Sequence, residues 1–275
     1  MRSVTIPMFL EGSLPDSRLT VYLQESSKEL WIQTRPLVLL CPGGGYEWTS
    51  DREAEVLALP FLAMGYHAAV LRYSCAPARF PTALLELAFS LRTIRENAGQ
   101  WHVEPEHVFV LGCSAGGHLA ASLGVMWNRP FLRQALDLPE EDAGLLRPNG
   151  LILCYPVITS GPYAHEGSFQ NLLGDRVEEL KEQVSLEKLV TGDTPPVFLW
   201  HTFTDPVVPV ENALLFMEAL RRAKVPTEFH LYASGGHGLS LATDLTRDAS
   251  GGACQEACAS WISLVKTWLA EQCRR

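Results

Sequence analysis

From Pro36 onward, short runs of consecutive apolar residues alternate with longer stretches in which apolar residues recur at three- and four-residue steps. A run such as PLVLLCP (36–42) shows no polar alternation, which predicts a strand buried on both faces. HAAVLRYS, HVFVLGC, GLILCYPV, PVFLWHTF and TEFHLYA repeat the pattern down the chain. Between them, helical periodicity covers residues 51–64, 82–98, 115–127, 209–224 and about 253–270. Strand and helix in regular alternation predict an α/β fold with a mostly parallel sheet flanked by helices. Ahead of Pro36, VTIPMFL and RLTVYLQ are separated by the turn residues Gly12, Ser13, Pro15 and Asp16, and read as an antiparallel pair at one edge. The sheet therefore has eight strands.

No composition break, linker or internal repeat divides the chain, so residues 1–275 form a single domain. Two stretches, 129–148 and 159–195, exceed ordinary helix–strand connections and mix Pro, Gly and charge. They are expected to form a small lid or the walls of a pocket.

Composition narrows the class of function. With 47% hydrophobic residues, 275 residues suffice for one large core. The formal charge of −9 comes from 31 acidic and 22 basic residues that are scattered, with no Lys/Arg stripe to meet a phosphate backbone, so nucleic acid is not an expected partner. The opening MRSVTIPMFLEGS is interrupted by Thr5 and Pro7 and is too short for a secretory apolar region. Residues 56–71 are interrupted by Pro60, Gly65 and His67, and no run is long enough to cross a bilayer. A soluble protein without a membrane partner follows. Seven cysteines make an odd set without disulfide-framework or zinc-ribbon spacing, which fits a reducing cytoplasm. Cys254 and Cys258 stand four apart, yet no second pair completes a ligand set, so no metal or cofactor is expected. Oligomeric state is not encoded in any of these features.

Chemistry concentrates at GCSAGGHLAAS (112–122), directly after the apolar run HVFVL. Gly112-Cys113-Ser114-Ala115-Gly116 matches G-x-S-x-G between a strand and a helix, the setting of a nucleophile elbow. Small flanking residues let the chain turn sharply and raise the serine hydroxyl above the sheet edge, while the helix starting at Ala115 aims free N–H groups at the site. Asp205 follows PVFLWHTF in HTFTDPVVP, and His237 follows TEFHLYA in SGGHGLSL. The order Ser, Asp, His, each after a strand, places all three at the carboxyl edge of the sheet. A serine hydroxyl becomes nucleophilic when a neutral imidazole takes its proton, and a carboxylate fixes the imidazole tautomer. Acyl transfer also needs donors for an oxyanion. CPGGGY (41–46) supplies a glycine-rich turn after a strand, so the N–H groups of Gly44, Gly45 and Ala115 are the expected donors. That turn lacks both G-x-G-x-x-G and Gly-Lys-Ser/Thr spacing, which sets nucleotide binding aside.

With these residues in place, the chain resembles the α/β-hydrolase fold, and more narrowly the acetyl-esterase and lipase-like group labelled xylanase or BD-FAE-like esterases. The resemblance runs from Pro36 to the last helix. It rests on PGGGY (42–46), LRYSCAP (71–77), FPTALLELAFSLRTIRENA (80–98), VFVLGCSAGGHLAASLG (108–124), HTFTDPVVPVENALLF (201–216) and GGHGLSL (235–241). It implies a cofactor-free serine esterase acting on short acyl esters, often acetyl groups on sugars, with Ser114, Asp205 and His237 as the triad. One departure is Pro42, which stands where related HGGG lipases carry a histidine. Tyr46, next to the oxyanion turn, is a candidate substrate contact or a core aromatic. His118 and His201 read as scaffold histidines, and His165 falls in the expected lid. Cleavage of a formamide or amide, acyl transfer to an alcohol, and a catalytically silent ligand-binding relative are the alternatives that the same residues leave open.

Overall fold

The computed structural model describes residues 1–274. Its centre is one eight-stranded sheet: β1 (Arg2–Pro7), β2 (Arg18–Leu23), β3 (Arg35–Cys41), β4 (His67–Arg72), β5 (Val103–Cys113), β6 (Gly150–Cys154), β7 (Val197–Thr202) and β8 (Thr227–Tyr232). The strand order is β1-β2-β4-β3-β5-β6-β7-β8. β2 pairs antiparallel with both β1 and β4, and every other pairing is parallel.

The uninterrupted apolar runs are explained by the two faces of this sheet. Leu37 and Leu39 of β3 point into one core, and Val38 and Leu40 into the other. The first core is closed by three helices, α2 (Thr82–Glu96), α3 (Ala115–Met126) and α5 (Glu211–Arg222), through pairs such as Leu87 and Leu91, Leu119 and Leu123, and Phe216 and Leu220. The second is closed by α1 (Glu55–Ala63) and α6 (Trp261–Gln272), which contribute Leu57, Phe61, Trp261, Val265 and Leu269. The periodic stretch from 51 begins with a 3-10 turn at Asp51–Glu53 rather than with α1 itself, and the stretch from 253 contains a separate short turn, Glu256–Ala259, before α6.

α3 is buried along its whole length. Its small residues allow this: a Cβ on Gly124 would sit 2.4 Å from Leu151 Cδ1, and one on Gly117 would sit 2.7 Å from Pro156 Cβ. An alanine- and glycine-rich helix can lie this close to a sheet where a leucine-rich one cannot.

The chain leaves β3 toward β4 on one side and returns to β5 on the other. The crevice at this reversal lies at the carboxyl ends of β3 and β5, where open α/β sheets bind their ligands. The glycine-rich turn and Ser114 emerge there side by side.

The two long connections behave differently. Segment 159–195 carries α4 (Glu166–Leu173) and reaches over the crevice. Segment 129–148 lies away from it: none of its residues lines the cavity at Ser114, and Arg129 and Phe131 instead wall a separate pocket with Gln183 and Leu189 of the other segment. Leu132, Leu136, Leu138 and Leu146 are buried in the first core, and Arg92 and Arg95 of α2 donate to the carbonyls of Leu136 and Leu145 at 2.8 and 2.6 Å. Its apolar residues commit it to the flank of α2. Among the described residues, no helix is long and apolar enough to cross a membrane.

Candidate active site

Ser114 stands between β5 and α3 at φ 54°, ψ −120°. A non-glycine residue in that region carries strain of roughly 1–3 kcal/mol that its surroundings must hold in place. Here Ser114 N–H donates to the Cys154 carbonyl at 3.0 Å, while its own carbonyl accepts from Val157 and His118 N–H at 3.0 and 3.1 Å. The flanking glycines are steric requirements. A Cβ on Gly112 would lie 2.1 Å from the Gly116 carbonyl oxygen, and one on Gly116 would lie 2.0 Å from that of Cys41.

His237 Nε2 is 2.8 Å from Ser114 Oγ, and His237 Nδ1 is 2.7 Å from Asp205 Oδ2. A carboxylate only accepts, so Nδ1 carries the proton and Nε2 is the acceptor for the serine hydroxyl. The second Asp205 oxygen accepts from Val207 and Val208 N–H at 2.9 and 3.0 Å. Pro206 follows Asp205 in this turn, so the bonds that fix the carboxylate come from the two residues beyond it. Burial pushes the Asp205 carboxyl up, but hydrogen bonds from His201 and His237 and the turn amides more than offset this and hold it well below the usual carboxylate range. His201 is fully buried, with Nε2 3.0 Å from the Val208 carbonyl and 3.4 Å from Asp205 Oδ2, so it braces the acid from behind.

The glycine-rich turn passes against the serine: a Cβ on Gly43 would lie 2.9 Å from Ser114 Cβ. Gly44 has φ +130° and Gly45 φ +63°, and a Cβ on Gly44 would strike the Trp48 carbonyl oxygen at 2.2 Å. Among the described residues, no protein acceptor takes the N–H of Gly44, Gly45 or Ala115. The Gly43 N–H, by contrast, is taken at 2.7 Å by Glu53 Oε2. Where a histidine would brace the turn in the HGGG lipases, the Pro42 carbonyl here accepts from Tyr73 O–H at 2.7 Å.

Of the two expectations for Tyr46, the structure shows the core aromatic. It is 3% exposed, outside the cavity wall, and its hydroxyl is 2.9 Å from His118 Nδ1. Its left-handed backbone, φ 58°, places the ring in the first core, edge-on to Tyr73. His118 donates from Nε2 to the Val184 carbonyl at 2.9 Å and accepts from Tyr46, and burial pushes its pKa down to about 4.

Two residues went unread in the sequence. Glu53 is 3% exposed, and Tyr155, fully buried after β6, donates to Glu53 Oε1 at 2.7 Å. A Glu in the first turn of a helical stretch ordinarily faces solvent, and only the adjacency of the turn at Ser50–Glu53 to the glycine loop hinted otherwise.

A cavity of about 440 Å³ opens above Ser114 and His237, with Gly44, Gly45, Trp48, His165, Asn171 and Val207 among its walls. His165 Nδ1 accepts from Ser168 N–H at 3.3 Å and lies 2.8 Å from its hydroxyl, capping α4. Asn171 of the same helix donates to the Gly45 carbonyl at 2.9 Å, tying this wall to the glycine turn. Among the described residues, no cluster of three His, Cys, Asp or Glu is arranged to hold a metal.

Comparison with known proteins agrees with this architecture. Endo-1,4-beta-xylanase B of Butyrivibrio fibrisolvens is 38% identical over 216 residues, 76% of this chain and 33% of its own length. An acetylxylan esterase of Xylanibacter ruminicola is 30% identical over 211 residues, 74% of this chain and 40% of its own. The chain thus spans well under half of these two curated relatives. An acetyl ester-xyloside bifunctional hydrolase from Caldicellulosiruptor lactoaceticus superposes with a TM-score of 0.80 at 34% identity, covering 97% of this chain and 92% of that one. The BD-FAE family profile matches residues 19–220, most of the chain. The chain belongs to the BD-FAE family.

Proposed function

We propose that this protein is a serine carboxylic-ester hydrolase acting on short acyl esters, acetyl in the first place, of hydroxyl-rich alcohols such as sugars. The observation that carries the reading is the unbroken line from Asp205 through His237 to Ser114, at 2.7 and 2.8 Å, in a cavity also lined by Gly44 and Gly45, whose N–H groups no protein acceptor takes among the described residues.

His237 Nε2 takes the hydroxyl proton as Ser114 Oγ bonds to the ester carbonyl carbon. The carbonyl oxygen becomes an oxyanion facing the N–H groups of Ala115 and the Gly44–Gly45 turn, which favour the developing charge over the neutral ester. Collapse breaks the bond to the alcohol oxygen, which leaves with the proton from Nε2. Water then repeats the sequence on the acyl-serine, releasing the acid and restoring the hydroxyl. Asp205 stays ionised throughout and stabilises the imidazolium.

The cavity wall is mixed in character. Val207 and Trp48 are its apolar side chains, and the remaining lining residues are glycine, polar or charged. The polar side chains among them offer hydrogen-bond partners to an alcohol with several hydroxyls. The relatives named for acetylxylan and acetyl ester-xyloside hydrolysis support the same reading.

The experiment is a series of p-nitrophenyl esters from acetate to octanoate, alongside acetylated xylo-oligosaccharides and an N-formyl arylamine. kcat/KM falls steadily with acyl length, acetate is released from the oligosaccharides, and formate release from the arylamine is negligible. A preference for octanoate contradicts the short-acyl reading, and efficient formate release contradicts the ester reading.

A further inference from the structure

Glu53 is a buried carboxylate with no cation beside it among the described ion pairs. Taking such a charge out of water costs several kcal/mol, so a neutral or apolar side chain would hold the fold at lower cost. What its two oxygens bind explains its presence. Oε2 accepts from Gly43 N–H at 2.7 Å, the peptide that leads into Gly44 and Gly45. Oε1 accepts from Tyr155 O–H at 2.7 Å. The Tyr155 oxygen itself accepts from Ser240 N–H at 2.8 Å, which fixes the direction of the hydroxyl proton toward Glu53.

Ser240 lies three residues after His237, and the Tyr155 ring meets the His237 ring edge-on, 5.2 Å between centroids at 72°. The neighbouring Arg52 grips the same loop. Its guanidinium donates to the carbonyls of Gly238 and Thr246, each at 2.7 Å, and its own carbonyl accepts from Ser240 Oγ at 2.6 Å. Gly43 is therefore wedged: a Cβ there would meet Glu53 Oε2 at 2.6 Å on one side and Ser114 Cβ at 2.9 Å on the other.

We propose that Glu53 is a positioning residue for acyl transfer: its carboxylate joins the oxyanion turn to the His237 loop as one unit set against Ser114. The glycine-turn donors and the proton acceptor come from loops more than 190 residues apart, as Gly44 and His237 illustrate. The path Gly43–Glu53–Tyr155–Ser240 is a direct hydrogen-bonded route between them. Glu53 borders the cavity, but its two oxygens are bonded to Gly43 and Tyr155 and to neither Ser114 nor His237. It acts by removing the freedom of either loop to drift, and displacement of a reacting group by about 1 Å costs on the order of 10²-fold in rate.

This inference rests on the esterase reading, and the full chain tests both. On p-nitrophenyl acetate, Glu53→Gln keeps the shape but turns one acceptor into a donor facing Tyr155. It lowers kcat by about 10² with KM within about twofold. Tyr155→Phe removes both the donor to Glu53 Oε1 and the acceptor for Ser240 N–H while leaving Glu53 Oε2 on Gly43, and lowers kcat about tenfold. Because Tyr155 acts through Glu53, the double variant is no slower than Glu53→Gln by more than about twofold. Labelling of Ser114 by a fluorophosphonate slows in the same order. Multiplicative losses in the double variant, a kcat for Glu53→Gln within about threefold of wild type, or losses confined to KM would each overturn the inference. Should Glu53→Gln fail to fold, Tyr155→Phe decides, since an unaltered kcat there removes the link. A wild-type chain inert toward every ester instead defeats the esterase reading, and the inference with it.

Discussion

Gly112 and Gly116 face each other across the elbow with no space for a side chain, since a methyl on Gly112 would lie 2.1 Å from the Gly116 carbonyl oxygen. The obstruction is backbone on both sides, so it cannot be relieved by rotating a side chain. Gly112→Ala therefore destabilises the protein by about 3 kcal/mol or more, read as a lower denaturant midpoint. Gly99→Ala is the control, because a Cβ there meets nothing within 4 Å. Equal midpoints for the two variants would contradict the packing described.

Asp205→Asn separates the roles of the two carboxylate oxygens. An amide oxygen can still accept from Val207 and Val208 N–H, so the turn holds, but its NH₂ confronts His237 Nδ1 and disfavours the tautomer that accepts from Ser114. kcat drops on the order of 10⁴ while the far-ultraviolet dichroism stays that of wild type. Retention of kcat within about tenfold would show that the acid does not set the tautomer.

His118 makes stability depend on pH. Burial lowers its pKa from the ordinary 6.5 to about 4 in the folded protein. The unfolded chain therefore binds the extra proton between these values, and stability that is complete above pH 6.5 is lost as the pH falls toward 4. From pH 7.5 to pH 5 this residue contributes a loss of about 2 kcal/mol. Chemical denaturation of wild type and His118→Phe at both pH values measures it. The pH-dependent loss is smaller in the variant by that amount, and an identical loss in both would refute the assignment.

Much of the sheet was legible because its strands are buried on both faces: Leu37 to Leu40 form an apolar run whether each residue points up or down. Ser114 was legible for a steric reason, as only glycine satisfies the contacts at 112 and 116. Tyr46 was not, because one left-handed φ decides whether that ring enters the cavity or the core, and nothing local dictates it. Glu53 and Tyr155 were hidden for a different reason. A carboxylate in a helix-initiating turn looks the same in sequence whether it meets water or a Gly43 amide brought in by the neighbouring strand end. Segment 129–148 resembles a lid in composition, yet four spaced leucines bind it to the core beside α2.

The proposed chemistry stands or falls on activation of the Ser114 oxygen by His237. Turnover of p-nitrophenyl acetate by wild type and by Ser114→Ala, with fluorophosphonate labelling mapped by peptide mass, tests it most directly. Steady turnover and one label on Ser114 are expected in the wild type. The folded alanine variant takes no label and loses all but a residual rate of roughly one part in 10⁴ to 10⁶. Equal rates for the two proteins, or a label on another residue, would contradict it.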